Sequence, residues 1–283
     1  MGGKCCCGRK EETYPIRQRQ SLAALRSKKG SVGYRSRGDD AEKFDKAFEI
    51  NDLKAFVDLL TSTQLIEKFE ERMHPWAEDP RTIGALAATQ LAILASQADS
   101  QHPGLKEEIL EAGAIPPLVQ YLHSDQQDRV QTAVIALGFL TADCPSVADA
   151  TYRARALPLL LKQLDNPICG MRSVAATTLR NICIDSEEAR DKFMNLGGMY
   201  GLVQQLDPLP DPSLIQADVE LEAIMNFQDF IEDEKGCVIT KYALLAIEAG
   251  AEEKLRNLMS SSDEEVRSAA EESLSALATV KND

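Results

Sequence analysis

The first ten residues, MGGKCCCGRK, hold the densest group of reactive side chains in the chain. Three thiols are adjacent at Cys5, Cys6 and Cys7, and Gly2 becomes the amino terminus when the initiator methionine is removed. Such thiols can bind a metal, form a disulfide or accept a fatty acyl group. A tetrahedral metal site needs four converging ligands, and no CxxC motif or nearby His completes one. A disulfide between neighbouring cysteines would strain the intervening peptide.

Fatty acylation accounts for more of these residues than the other two chemistries do. The unhindered Gly2 amine can accept a myristoyl group, although the usual motif has Ser or Thr where this chain has Cys6. One myristoyl chain binds membranes reversibly, with a constant of about 10⁴ M⁻¹, so stable attachment needs a second signal. Palmitoyl thioesters on Cys5, Cys6 and Cys7 would supply it. We therefore predict a lipid anchor made of Gly2 and the three cysteines.

The charge distribution gives the two parts of the chain different partners. Residues 1–38 carry ten Lys or Arg and two Glu, hence +8, and the whole chain is −14, so residues 39–283 carry −22. Each cation close to an anionic leaflet contributes about 1 kcal/mol, so Lys4, Arg9 and Lys10 are predicted to contact the membrane. Nucleic acid is disfavoured as a partner because a phosphate backbone requires a basic stripe, which the acidic body lacks.

Composition also divides the chain into two regions. Residues 1–38 are rich in Gly, Ser, Arg and Lys and are predicted to be a flexible membrane-targeting tail. From Asp39 onward apolar residues recur at helical spacing, which predicts a folded domain over 39–283. A bilayer-spanning helix needs about 20 apolar residues, and the sequence has no such run. We expect a protein made in the cytosol and attached to a membrane by lipid.

The folded region repeats with a period near 42 residues. Four similar segments begin 42, 42 and 53 residues apart: EAGAIPPLVQYL (111–122), RARALPLLLKQL (153–164), NLGGMYGLVQQL (195–206) and EAGAEEKLRNLM (248–259). A proline-rich insertion at 207–216 accounts for the longer interval. Ala-rich and Leu-rich segments follow the same period at 83–96, 130–140, 171–182, 217–233 and 266–277. One unit cannot bury such helices, so we predict a solenoid, with a helical region at 40–73 covering its start.

The sequence offers no group of residues suited to catalysis. The three histidines, His74, His102 and His123, show no metal-ligand spacing, and neither a phosphate-binding GxxxxGK[ST] loop nor a GxSxG motif occurs. We therefore predict that the protein is not an enzyme and that it uses no cofactor and no metal.

The repeated pattern of a small-residue turn, IPPLVxxL, a polar stretch and an Ala-rich helix ending in LRNI resembles the armadillo repeat. The resemblance covers roughly residues 40–280. It implies an all-α, right-handed superhelical solenoid of about five to six repeats, whose third helices line a concave groove for extended peptides. Nuclear-import receptors of this fold carry Trp and Asn four residues apart on successive third helices. Alignment on Leu179 places the corresponding candidate groove residues at Thr89, Ile135, Phe139, Thr177, Asn181, Met225 and Asp229.

This set contains one Asn and no Trp, which disfavours an import receptor. Two interpretations of Asn181 stay open, a hydrogen bond to a neighbouring helix or a contact with a ligand. For Ile135 and Phe139 the alternatives are the groove and the core between helices.

A start of the form MGxxCC, followed only by armadillo-like repeats, resembles the armadillo repeats-only family of apicomplexan parasites. That resemblance implies a myristoyl group on Gly2 and palmitoyl groups on Cys5 and Cys6. It further implies a scaffold on the cytosolic face of rhoptries, which are secretory organelles. There the scaffold recruits an unconventional myosin, an adenylate cyclase and a dedicated interacting protein, and so positions the organelles at the apical pole.

Two other assignments are compatible with parts of the sequence. An armadillo-type co-chaperone, acting as nucleotide-exchange factor for a cytosolic Hsp70, has similar repeats around EAGAIPPLV. Such a protein does not need an acylated start. The vacuolar armadillo proteins of fungi have an acylated start, but they carry more repeats than this chain.

Overall fold

A computed structural model describes residues 34–35, 37–66, 68–69, 77–207, 216–233 and 235–281. Within these ranges the chain forms fifteen α-helices and two strands of two residues each, so the predicted all-α class is confirmed. The predicted anchor residues Gly2, Cys5, Cys6 and Cys7 lie outside the described residues, as do Lys4, Arg9, Lys10 and the prolines of the predicted insertion.

Two helices begin the folded region, α1 over Asp39–Ile50 and α2 over Leu53–Leu59. Acidic residues in the first turn of α1 face the positive end of its dipole. Asn51 ends α1 in the left-handed conformation, and Asp52 starts α2 by accepting a hydrogen bond from the Ala55 N–H at 3.0 Å. The helical region predicted over 40–73 is therefore shorter than expected. A strand β2, Lys68–Phe69, pairs antiparallel with β1, Tyr34–Arg35, which lies within the predicted tail.

The remaining helices complete five units of three helices each. The first unit consists of α1, α2 and α3 (Ile83–Gln101). The other twelve helices are α4 (Leu105–Glu111), α5 (Ile115–Tyr121), α6 (Gln127–Thr141), α7 (Pro145–Arg153), α8 (Leu157–Lys162), α9 (Cys169–Cys183), α10 (Glu187–Asn195), α11 (Gly198–Gln204), α12 (Gln216–Ile231), α13 (Thr240–Glu248), α14 (Ala251–Leu258) and α15 (Glu264–Lys281). A 3₁₀ turn, Gln163–Asp165, extends α8.

In the second to fifth units, a residue with positive φ separates the first helix from the second. Gly113, Gly197 and Gly250 have φ between 86° and 89°, a conformation that costs glycine little because it has no Cβ. In the third unit Arg155 takes this position with φ 64°. The sharp turn thus recurs in every one of these units, even where the sequence does not supply glycine.

The third helices α3, α6, α9, α12 and α15 pack side by side in chain order. Their apolar residues belong to one continuous core that extends from Ala41 to Leu277. Leu91, Leu137 and Leu179, one in each of three successive third helices, are completely buried. Each third helix is buried by its neighbours, as predicted for a solenoid.

Candidate protein-binding groove

Most sides of the third helices are buried, but a strip of each remains partly accessible. On α12 this strip consists of Glu222, Met225 and Asp229, whose spacing of three and four residues places them on one helix face. On the adjacent helix α9, Ser173 and Arg180 are partly exposed. We refer to these five residues, together with the polar groups they contact, as the third-helix surface.

Four of the seven candidate groove residues are buried: Thr89, Ile135, Thr177 and Asn181. The first two lie outside the third-helix surface. Thr89 is 3% exposed and donates a hydrogen bond from its hydroxyl to the Ala85 carbonyl of its own helix, at 2.9 Å. Ile135 is 2% exposed and belongs to the core. The structure therefore places both in the packing between helices, because their helices turn these positions toward neighbouring elements. Phe139 is partly exposed and packs against the same core.

Asn181 and Arg180 connect three third helices. The Asn181 Nδ2 is 3.4 Å from both the Gly138 carbonyl and the Thr141 hydroxyl of α6, to which it donates. Arg180 donates from Nη1 to the Asn181 Oδ1 at 3.2 Å and from Nε to the Asp229 Oδ2 of α12 at 2.5 Å. Of the two interpretations of Asn181, the structure contains the hydrogen bond to a neighbouring helix.

A second polar cluster joins α9 to α12 one to two turns away. Glu222 accepts hydrogen bonds from the Ser173 hydroxyl and, at 3.0 Å, from the Thr177 hydroxyl. The Asn226 Nδ2 donates to the Thr177 Oγ1 at 3.2 Å. Thr177 is only 5% exposed, so this candidate groove residue acts within the surface by holding the Glu222 carboxylate.

Sequence reasoning missed Arg180 and Glu222, although both lie close to residues that it identified. Arg180 precedes Asn181, and Glu222 lies three residues before Met225 on the same helix face. Its three-residue spacing from Met225 could have identified Glu222 as a groove residue from the sequence alone. The Arg180–Asp229 contact could not be predicted from a 42-residue period, because the two residues are 49 positions apart and belong to different places in their units.

Near the start of the stack, third-helix side chains of α6 hold a non-helical segment of the chain. Gln131 accepts a hydrogen bond from the Glu78 N–H at 2.7 Å, and Asp128 accepts one from the Arg81 N–H at 2.9 Å. Both acceptor residues are 1% exposed. The third helix α6 thus fixes irregular backbone through side-chain oxygen atoms.

Tyr121 attaches the same connection to α5. Its hydroxyl donates to the Leu60 carbonyl, and its ring lies under the Arg129 guanidinium, 5.1 Å from the ring centroid. Burial raises the pKa of Tyr121 to about 12, so the hydroxyl stays a donor at all physiological pH values. The connection between the second and third helices of the first unit is therefore held by side chains of the second unit.

Among the described residues, no group of three or more His, Cys, Asp and Glu side chains could hold a metal ion. No helix in the same part of the chain has both the length and the apolar composition needed to cross a bilayer.

Comparison with known proteins assigns the repeat and then the family. The armadillo/beta-catenin-like repeat family matches residues 144–184, which cover α7, α8 and α9. The solved structure of the armadillo repeats only protein from Plasmodium falciparum superposes with a TM-score of 0.78. Its sequence is 37% identical, and the match covers 86% of this chain and 99% of the Plasmodium chain. The chain belongs to the armadillo repeats-only family.

Importins are more distant relatives of this armadillo repeats-only protein. The rice importin subunit alpha-1b is 28% identical over 102 residues, which are 36% of this chain and 19% of the importin. Importin subunit alpha-6 of Arabidopsis thaliana is 26% identical over 179 residues, 62% of this chain and 31% of the importin. The chain therefore spans less than a third of the length of these curated relatives.

A designed armadillo repeat protein, solved in complex with the peptide (KR)4, shares the fold of the armadillo repeats-only protein. Its TM-score is 0.64 at 23% identity, over 93% of this chain and 95% of the designed one. The matches identify an armadillo-repeat scaffold with a protein-binding fold, and the matched repeat family is not a catalytic one.

Proposed function

We propose that this armadillo repeats-only protein is a lipid-anchored adaptor on the cytosolic face of an intracellular membrane, the rhoptry membrane in an apicomplexan cell. In this role it recruits an unconventional myosin, an adenylate cyclase and a dedicated interacting protein, and thereby positions the organelle apically. The observation that carries the proposal is the match to the Plasmodium armadillo repeats only protein over 99% of that chain.

The anchor in this proposal is the amino-terminal sequence. Myristoylated Gly2 brings the chain to the bilayer, and palmitoylation of Cys5, Cys6 and Cys7 makes the attachment stable, because one acyl chain alone binds reversibly. Lys4, Arg9 and Lys10 add attraction to anionic headgroups.

The adaptor part is the solenoid, and the third-helix surface is the candidate site for partners. Met225 and Asp229 are partly exposed there, as is Phe139 on α6. An aliphatic or aromatic side chain beside charged groups suits an extended or amphipathic segment of another protein. The body's charge of −22 favours partner segments that carry cations.

Substitution of the anchor tests the proposal. The full chain is expressed in cells as wild type, Gly2→Ala, and Cys5→Ser with Cys6→Ser, and Gly3→Ala serves as a matched control that leaves the acceptor glycine intact. We expect wild type and Gly3→Ala in the membrane fraction and Gly2→Ala in the soluble fraction. The double cysteine variant should appear in both the membrane and the soluble fraction, because a myristoyl chain alone dissociates readily.

Mass spectrometry of the amino-terminal peptide then identifies the acyl groups. Recovery of wild type and Gly2→Ala in the same fraction would contradict the anchor. Membrane-bound wild type that does not co-purify the myosin would contradict recruitment while leaving the anchor in place.

A further inference from the structure

The contact between Arg180 and Asp229 lies at the accessible side of the third-helix surface. The two side chains are 21% and 19% exposed, and the Nε–Oδ2 distance is 2.5 Å. We propose that Asp229 is the docking carboxylate for an arginine or lysine side chain of a partner protein, and that Arg180 occupies it internally until the partner displaces it. The proposal deepens the adaptor function and rests on it.

The geometry around Asp229 fits a long cationic side chain. Met225 lies between Glu222 and Asp229 on one face of α12 and is partly exposed. Lysine and arginine bury their methylene stems on apolar groups while their charged ends reach polar ones. A side chain that lies along Met225 therefore brings its cation to one of the two carboxylates.

The charge balance of the surface favours the same occupant. Asp229 has Arg180 as its ion-pair partner, whereas Glu222 is held by the hydroxyls of Ser173 and Thr177. Hydroxyl donors stabilise the ionised carboxylate without neutralising its charge. On the next third helix, α15, Glu271 and Glu272 are exposed. Arg180 neutralises only Asp229 among these carboxylates. The accessible side of the third helices therefore keeps an excess of negative charge, which attracts a cationic segment.

Exchange of one cation for another costs little at this position. Asp229 keeps a positive partner when an external cation replaces Arg180, so no unpaired charge is left in a partly buried site. Arg180 is itself partly exposed and can turn to solvent, at the cost of its 3.2 Å hydrogen bond to the Asn181 Oδ1. Because the partner must compete with Arg180, removal of Arg180 should strengthen binding and removal of the Asp229 charge should weaken it.

The experiment measures binding of a fluorescent peptide of alternating lysine and arginine to the purified full chain, by fluorescence anisotropy at about 0.15 M salt. The test variants are Arg180→Gln and Asp229→Asn. A matched pair of controls is available on α7, where Arg153 and Asp149 form an ion pair at 3.0 Å with side chains 76% and 53% exposed. Arg153→Gln and Asp149→Asn change net charge by the same amounts, but away from the third-helix surface.

We expect Arg180→Gln to bind the peptide about tenfold more tightly than Arg153→Gln, and Asp229→Asn to bind it about tenfold more weakly than Asp149→Asn. Circular dichroism melting of all four variants confirms that each is folded. Equal affinities within either matched pair would overturn the proposal, because binding would then report net charge alone. Membrane recovery of the chain depends on Gly2 and not on Asp229, so failure here is distinguishable from failure of the anchored-adaptor function.

Discussion

The carboxylate of Asp191, together with that of Glu187, ties the first helix of the fourth unit to that of the fifth. It accepts hydrogen bonds from the Lys241 ammonium at 2.9 Å and from the Tyr242 hydroxyl at 2.8 Å. The Lys241 ammonium also lies 4.7 Å from the centroid of the Tyr242 ring. The Lys241 hydrogen bond, followed by that of Tyr242, lowers the pKa of Asp191, and the carboxylates of Asp191 and Glu187 raise the pKa of Lys241. The contact therefore depends on ionised Asp191.

Acid titration should remove this contribution. A carboxyl whose folded-state pKa is depressed stabilises the fold above its unfolded-state value, and the stabilisation is lost as pH falls through the folded-state value. We expect the melting temperature of wild type to exceed that of Asp191→Asn at neutral pH, and the gap to narrow as pH falls below the ordinary Asp pKa of about 3.9. Asp125→Asn, at an exposed position before α6, corrects for the change in surface charge. A gap that stays constant down to pH 2 would contradict an ionic role.

At the scale of helices, cations hold the carboxyl ends of the third helices. Arg190 of α10 is 6% exposed and donates from Nη2 to the Ile184 carbonyl at the end of α9, at 2.8 Å. Its Nη1 donates at 3.3 Å to the Glu232 carbonyl, just after α12. Lys106 of α4 donates in the same way to the Ala142 carbonyl at the end of α6. The last carbonyls of a helix lack intrahelical donors and carry the negative end of the helix dipole. A cationic side chain therefore both donates hydrogen bonds to these carbonyls and offsets the negative charge.

Removal of Arg190 should weaken the contact between the third and fourth units. We expect Arg190→Met to lower the free energy of unfolding by about 2–4 kcal/mol, because two carbonyls at helix ends lose their donor and one of them is buried. Lys192→Met, on the exposed side of the same helix, should change it by less than about 0.5 kcal/mol. Urea denaturation followed by circular dichroism measures both values. Similar losses in the two variants would show that Arg190 contributes no more than a surface cation.

At the scale of the whole molecule, a tail of +8 is joined to a body of −22. An anionic membrane attracts the tail and repels the body, so electrostatics alone cannot attach the chain firmly. This opposition gives a physical reason for the proposed acyl groups on Gly2 and the adjacent cysteines, since the hydrophobic contribution of a lipid chain does not depend on the charge of the body. In a chain anchored as proposed, the same repulsion would turn the solenoid away from the membrane.

Vesicle binding without acyl groups tests this balance. A synthetic peptide of residues 1–38 should bind phosphatidylserine vesicles more tightly than the unacylated full chain does, because the body is repelled by the same surface. The difference should shrink as salt rises toward about 1 M, where the screening length is about 3 Å. Equal affinities of peptide and full chain at low salt would contradict repulsion by the body.

Sequence alone predicted the features that depend on local pattern and period. The 42-residue repeat, the small-residue turn between first and second helices, the Ala-rich third helices and the resemblance to the armadillo repeat all follow from short sequence patterns and their period. The third-helix segments agree with the helices of the structure to within a few residues, except α3, which continues to Gln101. The lipid anchor is a prediction of the same kind, since it depends on the first ten residues.

The tertiary structure decided which polar side chains meet and which equivalent positions are buried. Asn181 reaches α6 across 43 residues and Arg180 reaches α12 across 49, and neither separation equals the repeat period. Ile135 and Met225 occupy equivalent positions by alignment, yet the first is in the core and the second is partly exposed. The exposure of a third-helix residue depends on the size and angle of the helices on both sides, and these are set by the packing of the neighbouring units in three dimensions.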